Sequence, residues 1–141
     1  MASYVGQVIK RTEDPRLITG HGAFADDARP PSTLHVAAFD DDRIVAVATI
    51  AEEPHPTAPA AGDWRVRGMA TAPDTRGLGS GGALLRALLD HARAHGGRRA
   101  WCTARITARA FYERWGFIAE GDEFELPHIG PHVIMATRLE D

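Results

Sequence analysis

The stretch Ala72-Pro73-Asp74-Thr75-Arg76-Gly77-Leu78-Gly79-Ser80-Gly81 decides how this chain is read. It follows a strand-like run, Trp64–Thr71, and opens the strongest helical pattern of the sequence, about Gly79 to His95. In that helix Leu84, Leu85, Leu88, Leu89 and Ala92 share one stripe, while Arg86, Asp90 and Arg93 lie off it. Arg86 and Asp90 have the i,i+4 spacing of an ion pair. Gly77, Gly79 and Gly81 leave backbone N–H groups bare at a helix N-terminus, where the dipole favours anions. Such a turn cradles a phosphate or pyrophosphate, and Arg76 can add charge-assisted bonds. A tight glycine turn that merely packs helix on sheet has the same sequence signature.

Upstream, Gly68 interrupts the strand pattern and signals a bulge, or a place where something approaches the backbone closely. Leu34, Val36 and Ala38 alternate with their neighbours, Asp40-Asp41-Asp42 turns the chain, and Arg43–Ile50 returns, which reads as an antiparallel hairpin. Residues 53–63 carry three prolines and one glycine and form a surface loop. Residues 1–32 show no clear period and are punctuated by Asp14-Pro15, Gly20, Gly22 and Pro30-Pro31. Downstream, Gly96-Gly97 stops the long helix, and Arg99–Thr103 is a short strand. Thr107 reads as the N-cap of a helix over Ala108–Trp115, ended by Gly116. Phe117–Leu126 and His132–Leu139 read as two closing strands around a turn at Pro127–Pro131.

Two phosphate-binding patterns compete for the glycine turn. Gly77, Gly79 and Gly82 satisfy the G-x-G-x-x-G dinucleotide spacing, but the next strand ends at Ala104-Arg105 without the carboxylate that would hold a ribose. The second pattern involves two segments. Arg76-Gly77-Leu78-Gly79-Ser80-Gly81 resembles the R/Q-x-x-G-x-G/A signature of the GNAT (N-acetyltransferase) superfamily. Ala108-Arg109-Ala110-Phe111-Tyr112-Glu113-Arg114-Trp115-Gly116-Phe117 resembles its A-x-x-F-Y-x-x-x-G-F segment. One helix and one strand separate the two, and the resemblance covers about residues 33–140.

The resemblance implies an α/β fold: a GNAT-like mixed, mostly antiparallel central sheet with flanking helices, whose parallel strands 64–72 and 99–104 splay apart. Acetyl-CoA, or another acyl-CoA, would be the co-substrate. Its diphosphate would lie on Arg76, Gly77, Leu78, Gly79, Ser80 and Gly81, and its pantetheine would pair with Met69, Ala70 and Thr71 like an added strand. The Met69 N–H would polarise the thioester carbonyl. Tyr112 matches the family's general acid, a phenol able to protonate the leaving thiolate; a core aromatic beside Phe111 is its other reading. The acceptor would be a small-molecule amine, a peptide N-terminus or a lysine.

Two departures from the family pattern stand out. Arg105 occupies the position where many relatives carry an asparagine, and an arginine there would meet a phosphate of the cofactor. At the front, residues 5–27 resemble the opening of molybdopterin-binding subunits of the xanthine dehydrogenase family, a scaffold segment that implies no molybdenum. On this reading residues 1–32 are an atypical leader, residues 33–141 the acyl-CoA-binding domain, and the family's front helices are missing or replaced. A homodimer would then cover the sheet face left open.

Composition excludes several other classes. The 141 residues carry a net charge of −3, which gives no general attraction to nucleic acid or anionic lipid. No apolar run has membrane-spanning length, and no secretory signal opens the chain. Cys102 is the single cysteine, which excludes an internal disulfide and fits a reducing cytoplasm. His91 and His95 are spaced like metal ligands, but histidines near a helix C-terminus more often complement its dipole, so no metal is expected. Glu125, His128 and His55 are the candidate general bases, and water can serve instead. Two further readings remain: a GNAT-like module that binds CoA without turnover, and an NAD(P)-binding protein.

Overall fold

The structure, a computed structural model, describes residues 30–75 and 79–139. Strands β1 (Leu34–Asp40) and β2 (Arg43–Glu52) form the expected hairpin, turned by Asp41 at φ 55°. Then follow β3 (Asp63–Thr71), helix α1 (Ser80–Ala94), β4 (Arg99–Arg105), the short helix α2 (Arg109–Arg114), β5 (Ile118–Leu126) and β6 (Gly130–Arg138). The six strands make one sheet in the order β1-β2-β3-β4-β6-β5. Every neighbouring pair is antiparallel except β3–β4, whose crossover connection contains α1.

The apolar core lies between the sheet and the two helices. Leu84, Leu85, Leu88 and Ala92 of α1 are fully buried against Val36, Ala48, Ile50, Val66 and Met135 from four strands. Helix α1 ends where Gly96 adopts φ 81° and the Gly97 amide donates to the Ala92 carbonyl at 2.7 Å. A Cβ on Gly97 would sit 2.9 Å from the Trp64 indole and 2.7 Å from that carbonyl, so only glycine lets the chain return this tightly to β4.

The opposite face of the sheet is covered in part by the loop at 53–62. His55 is buried there, its ring 5.7 Å from that of Trp101, and its Nε2 meets Glu120 on β5 at 2.8 Å. The loop reaches this far because it is tied at one point. The buried Asp63 carboxylate accepts from the amides of His55 and Ala60 and from two nitrogens of Arg99.

Three local expectations are corrected. Thr107 caps nothing: residues Ile106–Ala108 form a 3-10 turn, α2 starts at Arg109, and no side chain caps it. Asp90 pairs with Arg93 at i,i+3 rather than with Arg86, and Arg93 is also held by the Leu139 carbonyl. The closing turn is shorter than drawn, at 127–129, with His128 at φ 66°.

Candidate active site

The parallel strands touch over only three residue pairs, Asp63 with Arg99, Trp64 with Ala100 and Arg65 with Trp101. Beyond that point each keeps its outer neighbour. Val66, Ala70 and Thr71 stay on β2, and Cys102–Arg105 stay on β6. A gap therefore opens inside the sheet, with backbone N–H and C=O groups of both strands turned toward it.

The bulge signalled by Gly68 sits on the rim of this gap. Thr49 pairs with Arg67 and Val47 with Ala70, so Ala48 alone faces both Gly68 and Met69. Gly68 has φ 68°, a left-handed conformation that glycine adopts without strain. Past the bulge, Met69 packs on the helix-side core, Ala70 is exposed and Thr71 is half-buried.

Helix α1 begins a few residues beyond the same rim. Gly79 precedes it at φ 89°, and no side chain among the described residues caps its first turn. The buried Ser80 Oγ has no hydrogen-bond partner among the described residues, and the space where a Gly79 Cβ would stand is open. An uncapped N-terminus of a 15-residue helix beside an orphaned hydroxyl is chemically suited to an anion with several acceptor oxygens. Gly81 faces the Thr71 hydroxyl and the Phe111 ring across this corner. Arg76, Gly77 and Leu78, the other residues expected to hold a diphosphate, lie outside the described residues. Gly82 has a packing reason of its own, because a Cβ there would come within 2.9 Å of the Trp115 indole.

Tyr112 belongs to the helix-side core, near Cys102. It is buried in edge-on contact with the rings of Phe111 and Phe117. Burial pushes its phenol well above the ordinary range, and the neighbouring Cys102 thiol adds to this. Cys102 is the first β4 residue beyond the paired stretch, and burial pushes its thiol up to about 12. Both groups therefore stay protonated at neutral pH, so Tyr112 carries a proton but burial makes it a weaker acid than a solvated phenol, and Cys102 is a poor nucleophile.

Arg105 ends β4 as an exposed residue whose side chain has no hydrogen bond or ion pair among the described residues. The candidate bases fall elsewhere. His55 accepts the amides of Thr57 and Ala58 on Nδ1 and carries its proton on the Nε2 that meets Glu120, which leaves it no lone pair for substrate. Glu125 and His128 are exposed on β5 and in the closing turn. His91 and His95 stack on one another with centroids 4.1 Å apart against Trp64, and no cluster of three metal-ligating side chains occurs among the described residues.

Sequence reading passed over the polar face of the sheet at the gap. Arg65 reaches across from β3, donating Nη1 to Glu53 at 2.8 Å and Nη2 to Thr103 of β4 at 3.4 Å. Its guanidinium lies 4.7 Å over Trp101. The available signal was the alternation of Arg65, Val66 and Arg67, which puts two cations on the side of β3 away from the core.

Known proteins agree with this architecture. Residues 7–117 match the model of the Acetyltransferase (GNAT) family, a span that takes in most of the segment at 5–27. The chain is 31% identical over 108 residues to YitI, an uncharacterized N-acetyltransferase of Bacillus subtilis, covering 76% of this chain and 72% of that protein. An aminoglycoside 6'-N-acetyltransferase solved with coenzyme A superposes with a TM-score of 0.69 at 16% identity, over 96% of this chain and 97% of that one. The ribosomal-protein-S18-alanine N-acetyltransferase of Escherichia coli gives 0.66 at 22% identity, over 86% and 78%. These two likenesses concern the fold.

Proposed function

Because the chain belongs to the GNAT acetyltransferase family and is a GNAT-type N-acetyltransferase, we propose that it moves an acetyl or short acyl group from acyl-CoA to a primary amine by direct attack. The observation that carries this reading is the gap between β3 and β4, with the Gly68 bulge and the uncapped start of α1 on one rim. The resemblance to an acetyltransferase solved with coenzyme A supports the choice of donor.

Acyl-CoA would supply an activated thioester carbon. Ser80, Gly79 and Gly81, with Arg76, Gly77 and Leu78 before them, would hold its diphosphate by backbone amides and the Ser80 hydroxyl. Arg105 would add a positive charge at the same end of the gap. The strand edge of Met69, Ala70 and Thr71 would align the pantetheine, and an amide freed by the bulge would steady the charge that builds on the carbonyl oxygen. The amine nitrogen bonds to the carbonyl carbon, the carbon–sulfur bond breaks, and Tyr112 gives its proton to the departing thiolate. The attacking nitrogen, neutral before attack, sheds one proton through water, and that proton restores the Tyr112 phenol.

No described helix is long and apolar enough to cross a membrane. A cytoplasmic site of action and a homodimer complete the proposal, the dimer testable by light scattering. The test of the chemistry is titration calorimetry with acetyl-CoA and with NADPH, followed by release of free CoA across an amine panel. Micromolar acetyl-CoA binding with amine-dependent CoA release is the expected result. Binding without turnover of any amine would leave a CoA-binding module, and NADPH binding alone would restore the dinucleotide reading.

A further inference from the structure

Arg65 and Arg99 stand on the same face of neighbouring strands, two residues apart in the β3–β4 register, and their guanidinium groups are used differently. Arg99 turns the edge formed by Nε and Nη2 onto the Asp63 carboxylate, with bonds of 2.8 and 2.9 Å. In Arg65 that same edge holds no carboxylate. Among the described residues its Nε is buried without a partner, and its Nη2 makes only the 3.4 Å bond to the Thr103 hydroxyl. Nη1 is committed to Glu53, and the plane is fixed by the Trp101 ring beneath it.

We infer that this unpartnered edge of Arg65 receives a carboxylate carried by the amine acceptor, so that the enzyme acts on small amino acids with amine and carboxylate in one molecule. The inference rests on the acyltransferase reading above and gives its acceptor a chemical class.

Three observations support the class. The edge points across the gap, since its Nη2 meets Thr103, two residues past the last β3–β4 pair. Arg65 also lies three residues before Gly68, roughly 10 Å along the strand, so an anchored carboxylate leaves the amine within reach of the bulge. A buried donor without an acceptor is costly, and a carboxylate meeting both nitrogens would satisfy Nε and replace a long, weak bond. The arrangement also disfavours a second ammonium group. Glu53, the nearest carboxylate, is already held by Arg65 at 2.8 Å and by Arg67 at 3.6 Å. Glu120 and Asp63, further carboxylates on this face, are engaged by His55 and Arg99.

The test uses three acceptors with the same five-carbon chain: 5-aminopentanoate, pentylamine and cadaverine. Each is assayed by CoA release with saturating acetyl-CoA and the full-length protein. The expected order of kcat/KM is 5-aminopentanoate, then pentylamine, then cadaverine, with the first preferred over the second about ten- to hundredfold. In Arg65→Lys, which keeps the charge but loses the two-nitrogen edge, the KM for 5-aminopentanoate rises toward that of pentylamine while acetyl-CoA affinity is unchanged. A wild-type protein that turns over pentylamine or cadaverine as well as 5-aminopentanoate overturns the inference, and needs no variant to do so. Calorimetry with acetyl-CoA separates the failures: lost cofactor binding refutes the transferase, whereas binding with the wrong acceptor order refutes only the acceptor class.

Discussion

The two ends of the β3–β4 pair are made of the same strands and behave as opposites. At the start, Asp63 is buried and bound by four donors, Trp64 closes over Gly97, and Arg65 meets Trp101. At the far end the strands share no hydrogen-bonded pair, a bulge bends β3, and Ser80 is left with an unmet hydroxyl. The closed end supplies rigidity through satisfied buried polar groups. The open end keeps unsatisfied groups in place because the closed end holds the strands, and such groups are where a ligand binds.

The sharpest way to break this comparison is at the clamp. Asp63→Ala would strand the Arg99 guanidinium and the amides of His55 and Ala60, at a cost of about 3–5 kcal/mol read from urea unfolding. The pH dependence has a defined sign. Burial alone would raise the Asp63 pKa, but the bonds from Arg99 and the two amides outweigh it, and the folded-state value lies below the ordinary 3.8. The unfolded state therefore binds the proton more tightly, so the stabilisation is present above about pH 4 and is lost as pH falls through the lower folded value. Asp63→Ala should flatten the wild-type acid limb. An unchanged limb would mean that the clamp does not hold the closed end.

At the open end the largest effect falls on rate. Tyr112→Phe keeps the ring and its packing against Phe111 and Phe117, so stability and acetyl-CoA affinity should hold while kcat falls about a hundredfold, near 2.7 kcal/mol of barrier. A kcat within threefold of wild type would return Tyr112 to the role of a buried aromatic.

The two ends were not equally legible in the sequence. The open end announces itself locally, since glycine spacing before an apolar helix, a glycine inside a strand and the Ala108–Phe117 segment are all short-range signals. The order of strands and the gap followed from the family resemblance, because a three-pair contact between strands separated by α1 leaves no local trace. The closed end was invisible for a related reason. Asp63 and Arg99 are 36 positions apart, and nothing in either neighbourhood marks them as partners. Arg65 likewise lies unmarked inside the strand-like run Trp64–Thr71, since its unpartnered guanidinium edge exists only after Trp101, Glu53 and Thr103 are brought around it.

The smallest effect gives the finest discrimination, because a positive-φ glycine stands at each end. Gly62, at φ 85°, has Arg98 Cγ 2.7 Å from where a Cβ would go, so Gly62→Ala adds a clash to backbone strain. Gly68, at φ 68°, has only the Thr49 hydroxyl, 3.9 Å away, so Gly68→Ala brings the conformational cost alone, about 1–2 kcal/mol. If the bulge merely bends β3, both substitutions should lower Tm and leave kcat alone, with Gly62→Ala the worse. If the bulge aims an amide into the gap, the order reverses for catalysis. A β3 that relieves its strain by straightening moves the backbone of Met69 and Thr71, and a displacement of one residue would turn their side chains to the other face. Gly68→Ala should then lower kcat several-fold with acetyl-CoA affinity nearly intact, while Gly62→Ala unfolds earlier but turns over normally when folded. Equal kcat values in the two variants would show that the irregular edge of β3 serves packing and not the reaction.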